Sequence, residues 1–190
     1  MARFNIRLVV GSNRKDSINR KVGHALAALA REDFAFEELR IDDLPLYNQD
    51  LDTDTPPESV ARLRAEVRAA DGFLFVTPEY NRQPTPVLLN ALHWASRPYG
   101  KNSWAGKPGA ITGSSSSGVA TGGAQSNLRN LLGVLDVRLI GQPEAYIQFT
   151  DDLVGADGAF ADEKVRAFHA KKIRALEDWV ALVSGAARAA

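Results

Sequence analysis

Short, unbroken apolar runs alternate along this chain with segments whose apolar residues return every three or four positions. Residues 6–10, IRLVV, form a brief branched run closed by Gly11, the pattern of a strand covered on both faces. Val22, Leu26 and Leu29 then share one helical face. Residues 34–41 supply a second strand, and Val60, Leu63, Val67 and Ala70 a second helix. Residues 72–77, GFLFVT, are a strongly apolar strand. Residues 86–97 read as helix, 107–112 as strand, and Leu128, Leu131, Leu132 and Leu135 as helix. Residues 137–149 hold a fifth strand with an interruption at 141–143. Val165, Phe168, Leu176, Val180 and Val183 mark a long last helix.

Strand and helix thus alternate five times, which predicts an α/β fold: a doubly wound parallel sheet with helices on both faces. No repeat or domain-sized linker interrupts residues 1–190, so a single domain is expected. In such sheets ligands sit beyond the carboxyl ends of the strands, near a switch point. The loops after the strands are therefore where function is sought. The longest polar one, residues 41–57, reads as a lid or a rim. Its acidic residues lack EF-hand spacing and point to no metal.

Composition narrows the classes. Lys+Arg and Asp+Glu both number 23, which leaves no basic field for nucleic acid. The chain has no cysteine, so disulfides, thiolate metal sites and cysteine nucleophiles are excluded and a reducing compartment fits. No apolar run nears the ~20 residues of a membrane span, and the first residues do not read as a secretory signal. A cytoplasmic protein is expected.

Three loops carry candidate chemistry. The first, GSNRKDSINR, places Ser12, Arg14, Ser17 and Asn19 at the start of a helix. A helix amino end offers free N–H groups and partial positive charge, so these donors suit a phosphate. A polar turn with Ser17 or Asp16 as helix cap is the plainer alternative. The second loop holds Pro78, Glu79, Tyr80 and Asn81 between prolines that stiffen the chain. A rigid turn bearing an aromatic suits a flat ligand; an ordinary connection with Tyr80 as filler is the alternative. Thr85 is expected to cap the following helix, with Pro86 in its first turn. The third, TGSSSSGVATGG, contains Ser114, Ser115, Ser116, Ser117 and Gly118. Such small residues let backbone N–H groups approach a ligand, or else form a flexible linker.

These stretches, in this order, resemble the NAD(P)H-dependent FMN reductase family of flavodoxin-like proteins, which includes quinone, chromate and azo dye reductases. The resemblance rests on GSNRKDSIN, on PEYN followed by NALHWASRP, and on WAGKPGAITGSSSSGVATGGAQSNLRNLLGVLDV. It implies sheet order 2-1-3-4-5 and one FMN per subunit. Ser12, Arg14, Ser17 and Asn19 would then hold the flavin phosphate. Pro78, Glu79, Tyr80 and Asn81 would line the ribityl chain and ring, and residues 114–118 would present N–H groups to the pyrimidine edge. NADPH or NADH would be the co-substrate, and a quinone, free flavin or other small molecule the acceptor, with no protein nucleophile or base. A flavodoxin-like electron carrier serving a protein partner is the alternative, but a net charge of zero does not suggest a charged docking surface. The chain departs from the family pattern at Gln83, Pro84, Thr85, Pro86, Leu89 and His93.

Further expectations concern the remaining polar and aromatic residues. His24, His93 and His169 sit in no metal-binding arrangement. Residues 171–174, KKIR, read as a solvated helix face. Arg82 and Arg97 are candidate contacts for nucleotide phosphates. Residues 93–104, HWASRPYGKNSW, read as an aromatic-rich surface segment following the PEYN loop. They point to a homo-oligomer, dimer or tetramer, that packs near the flavin edge.

Overall fold

A computed structural model describes residues 4–189, with side chains as far as residue 185. Five parallel strands lie in the order β2-β1-β3-β4-β5: β1 (Phe4–Val10), β2 (Phe34–Glu38), β3 (Gly72–Val76), β4 (Pro108–Ser115) and β5 (Arg138–Leu139). The fold is flavodoxin-like. The expected fifth strand is split: β5 pairs with the start of β4, and β6 (Tyr146–Gln148) pairs with its end. Residues 140–145 bridge the two pieces.

Strand side chains alternate between two layers. Ile6, Leu8, Val10, Leu74 and Val76 pack with Val22 and Leu26 of α1 (Ile18–Ala27) and with Ile173, Leu176 and Val180 of α5 (Glu163–Ala189). Val9, Phe73, Phe75 and Ile111 face the opposite side. There they meet α2 (Glu58–Ala69), α3 (Pro86–Ala95) and α4 (Gly122–Val134). β2 is shorter than expected because the chain leaves the sheet edge after Glu38, and Leu39 and Ile41 turn into the α2–α3 layer.

Several expectations need correction. Residues 41–57 are not a loose lid. Pro45 O accepts hydrogen bonds from Asn90 Nδ2 (2.9 Å) and Trp94 Nε1 (2.7 Å). Asp52 forms a buried ion pair with Arg64 at 2.6 Å, and Arg64 Nε reaches Trp94 O. The aromatic-rich segment is not a surface patch either. Trp94 and Trp104 are both 0% exposed, and of the large aromatic side chains Tyr99 alone stands out, at 92%. Nor does that segment flank the PEYN loop. Helix α3 runs back along the sheet, so residues 97–104 lie at the opposite end, where Arg68 at the end of α2 donates to Ser103 Oγ. KKIR is only half a solvated face: Lys171 and Arg174 are exposed, but Lys172 is 2% exposed and Ile173 is 0%. Lys172 Nζ donates to Pro143 O at 2.9 Å.

Candidate flavin-binding site

Register brings the three loops together. Val10 lies opposite Val76, and Val76 opposite Thr112, so β1 and β3 end level with one another while β4 runs on to Ser115. Gly113 makes this possible. A Cβ there would meet the Thr77 carbonyl oxygen and lie 2.6 Å from Thr121 Oγ1, so only glycine admits the close strand crossing. The first loop is tied to its neighbours by Gly11 N–H donating to Val76 O at 2.9 Å and Thr85 Oγ1 donating to Gly11 O at 2.6 Å. Thr85 therefore does not cap α3 with its side chain; its hydroxyl braces the first loop instead.

The loops enclose an open cleft of about 250 Å³ lined by Ser12, Arg14, Ser17, Ile18, Asn19, Pro78, Glu79, Tyr80 and Ser114 to Ser116. Most of the residues proposed from sequence meet here. Asn81, Ser117 and Gly118 do not line it. Asn81 and Arg82 have φ of 52° and 67° and form the tip of a two-residue turn. Tyr80 and Gln83 close that turn by exchanging hydrogen bonds of 3.0 and 2.9 Å.

Ser17 is the N-cap of α1, its Oγ accepting from Arg20 N–H at 3.2 Å. Cap and anion site are compatible, because the hydroxyl proton stays free to donate. Ser12 Oγ accepts from Arg14 N–H at 3.4 Å. Asn19 has another task. Its Nδ2 donates to Ser114 O and its Oδ1 accepts from Ser114 N–H, both at 2.8 Å. The amide thus continues the ladder of β4 beyond the end of β3, a role invisible in the sequence. Glu79 is similarly engaged: Oε2 accepts from Ala124 N–H in the first turn of α4 at 2.9 Å, and Oε1 pairs with Arg82 at 2.9 Å. That carboxylate braces the second loop against the third.

The residues fit a flavin phosphate. The α1 amino end, the Ser12 and Ser17 hydroxyls and the exposed Arg14 are all donors on one side of the cleft. Ser114, 1% exposed on the cleft wall, has an Oγ with no partner among the described residues. A buried hydroxyl without a partner is costly, and a polar group bound in the cleft would satisfy it. Residues 4–152 match the NADPH-dependent FMN reductase family. The chain belongs to that family. It is an oxidoreductase with FMN as cofactor and NAD(P)H as electron source.

Among curated relatives of this reductase, the 2-hydroxy-1,4-benzoquinone reductase of a Burkholderia species is 47% identical over 165 residues, 87% of this chain and 90% of that protein. A quinone reductase of Pseudomonas putida is 41% identical over 94% of this chain and 96% of its own. Among solved structures, FerB, a flavoenzyme NAD(P)H:(acceptor) oxidoreductase from Paracoccus denitrificans, superimposes with a TM-score of 0.89. It is 42% identical and covers 93% of this chain and 97% of its own.

Sequence reasoning missed Arg20, Glu38 and Ile18. Arg20 donates to Arg14 O at 2.9 Å and to Ser12 O at 3.0 Å, and its Nε pairs with Glu38 at 2.8 Å. Nothing local in the sequence pairs α1 with the end of β2. The spacing of Arg20 and His24 by one helical turn, both against Glu38, is the one available signal.

Proposed function

We propose that this reductase is an NAD(P)H:quinone oxidoreductase whose acceptor is a small benzoquinone. When bound, FMN supplies the redox chemistry, accepting hydride from the nicotinamide and delivering electrons to the quinone. Ser12, Arg14 and Ser17 hold the phosphate at the α1 amino end. Pro78 and Tyr80 form the wall beside the ring. Of the third loop, Ser115 and Ser116 line the cleft, and their backbone N–H groups would stabilise negative charge on the flavin's pyrimidine side. Asn19 and Glu79 keep the three loops in register. No side chain is required as a nucleophile.

The observation that carries this reading is the convergence of the phosphate donors, the Pro78–Tyr80 wall and the partnerless Ser114 Oγ on one cleft. Likeness over nearly the whole chain to proteins named as quinone reductases supports the choice of acceptor. The enzyme is read as a cytoplasmic homo-oligomer with a dimer as its smallest unit. Tyr80 and Val119, 51% and 57% exposed, are apolar side chains of the second and third loops for a second copy to cover. Among the described residues no helix is long and apolar enough to cross a membrane.

Steady-state oxidation of NADPH and NADH by the FMN-loaded protein, with benzoquinones, free flavin and an azo dye as acceptors, tests the proposal. The expected result is the highest kcat/KM with a benzoquinone. Turnover with free flavin alone would overturn the choice of acceptor.

A further inference from the structure

We propose that Arg20 is a positioning residue for the flavin phosphate, acting through the carbonyl groups of the first loop. The inference rests on the phosphate reading above. Arg20 does not line the flavin cleft. It lines a separate depression of about 330 Å³ with Glu38, Leu39 and Arg40, and Ser12 borders both. The guanidinium therefore lies behind the loop. From there it takes the carbonyl oxygens of both Ser12 and Arg14. A carbonyl turned toward the cleft would repel a phosphate, whereas one held by Arg20 leaves that side to donors. The rigid fork of an arginine suits two carbonyls at once.

The fork is itself fixed. Its Nε meets Glu38 Oε1 at 2.8 Å, and Glu38 Oε2 meets His24 Nε2 at 2.9 Å. Arg20 and His24 stand one turn apart on α1, and Glu38 ends the edge strand β2. The chain of contacts runs from β2 through Arg20 to the loop, and it places a carboxylate close to an anion site. That carboxylate gives the proposal a sign. If only charge mattered, neutralising Glu38 would tighten phosphate binding. If Glu38 acts by orienting Arg20, neutralising it weakens that binding.

The experiment is fluorescence titration of flavin-free protein with FMN and with riboflavin, for the wild type, Glu38→Gln, Arg20→Lys and Arg20→Met. Glu38→Gln is expected to weaken FMN binding several-fold, and Arg20→Met by about tenfold, with riboflavin affinity unchanged in both. Arg20→Lys keeps the charge but lacks the fork, and is expected to fall close to Arg20→Met. Unchanged or tighter FMN binding in Glu38→Gln overturns the inference, as does wild-type affinity in Arg20→Lys. General damage to the fold would weaken both flavins together and likewise counts against it. Should Arg20→Met fail to fold, the other two variants decide. A wild type that binds FMN and riboflavin equally instead overturns the phosphate reading itself.

Discussion

Replacing Asn19 by alanine separates a clamp from a ligand contact. The wild-type amide makes two hydrogen bonds of 2.8 Å to the backbone of Ser114. Asn19 is 2% exposed and Ser114 is 1%, so bulk water does not replace the amide directly. Each buried backbone group left without its partner costs about 1–3 kcal/mol. Asn19→Ala strands two, the N–H and the C=O of Ser114, and so destabilises the flavin-free protein by about 2–6 kcal/mol. At about 2–4 °C per kcal/mol for a domain of this size, Tm falls by roughly 4–24 °C. Urea denaturation of the flavin-free variant, followed by circular dichroism, measures the loss. Excess FMN binds only the folded state and recovers part of it. Asn19→Asp is expected to resemble the alanine variant, because a carboxylate accepts from Ser114 N–H but repels Ser114 O. A loss below about 1 kcal/mol in flavin-free Asn19→Ala, with FMN affinity sharply reduced, would show that the amide serves the ligand and not the loop.

Three further outcomes are expected. Gly113→Ala pushes a methyl group against the Thr77 carbonyl and Thr121 Oγ1; it should cost at least about 1–3 kcal/mol and weaken FMN binding, and wild-type stability by denaturation would refute the close-crossing argument. Asp52→Ala leaves Arg64 charged and buried, and is expected to cost about 3–5 kcal/mol and to open residues 41–57 to limited proteolysis. Burial, reinforced by the charge of Lys172, lowers the His169 pKa to about 4 from 6.5. Below pH 6.5 the unfolded chain therefore takes up a proton that the native state refuses. The resulting stability is fully present above 6.5 and is lost as pH falls towards 4, on the order of 3 kcal/mol in all. His169→Gln should flatten that part of the stability–pH curve, and an unchanged slope would contradict the assignment.

The order of elements and the three loops were legible because strands covered on both faces are apolar throughout and helices repeat every three to four residues. Gly11 and Pro78 marked two of the loops that meet at the cleft, whereas Gly118 lies outside its lining. The individual roles were less legible, because they depend on partners distant in sequence. Asn19 meets Ser114, 95 residues away, and Thr85 meets Gly11, 74 away. Local reading assigned the first to a phosphate and the second to a helix cap. KKIR looked solvated because composition hides direction: Lys172 sits beside Ile173 on the buried face, with its amine on Pro143 O. The tryptophans misled in the opposite sense. In a polar-looking segment they suggested an interface, yet Trp94 and Trp104 find hydrogen-bond partners at Pro45 and Leu92 inside their own domain.

On the proposed function, this chain needs no partner protein to take electrons from a nicotinamide nucleotide and hand them to a quinone. Anaerobic stopped-flow mixing of the FMN-loaded protein with NADPH or NADH, followed by a benzoquinone, puts that to the test. The expected result is loss of the flavin's visible absorbance with at least one nucleotide, and its return on adding the quinone, without any partner protein. Absorbance that stays constant with both nucleotides, while a chemical reductant bleaches it, would contradict the claim and favour an electron carrier.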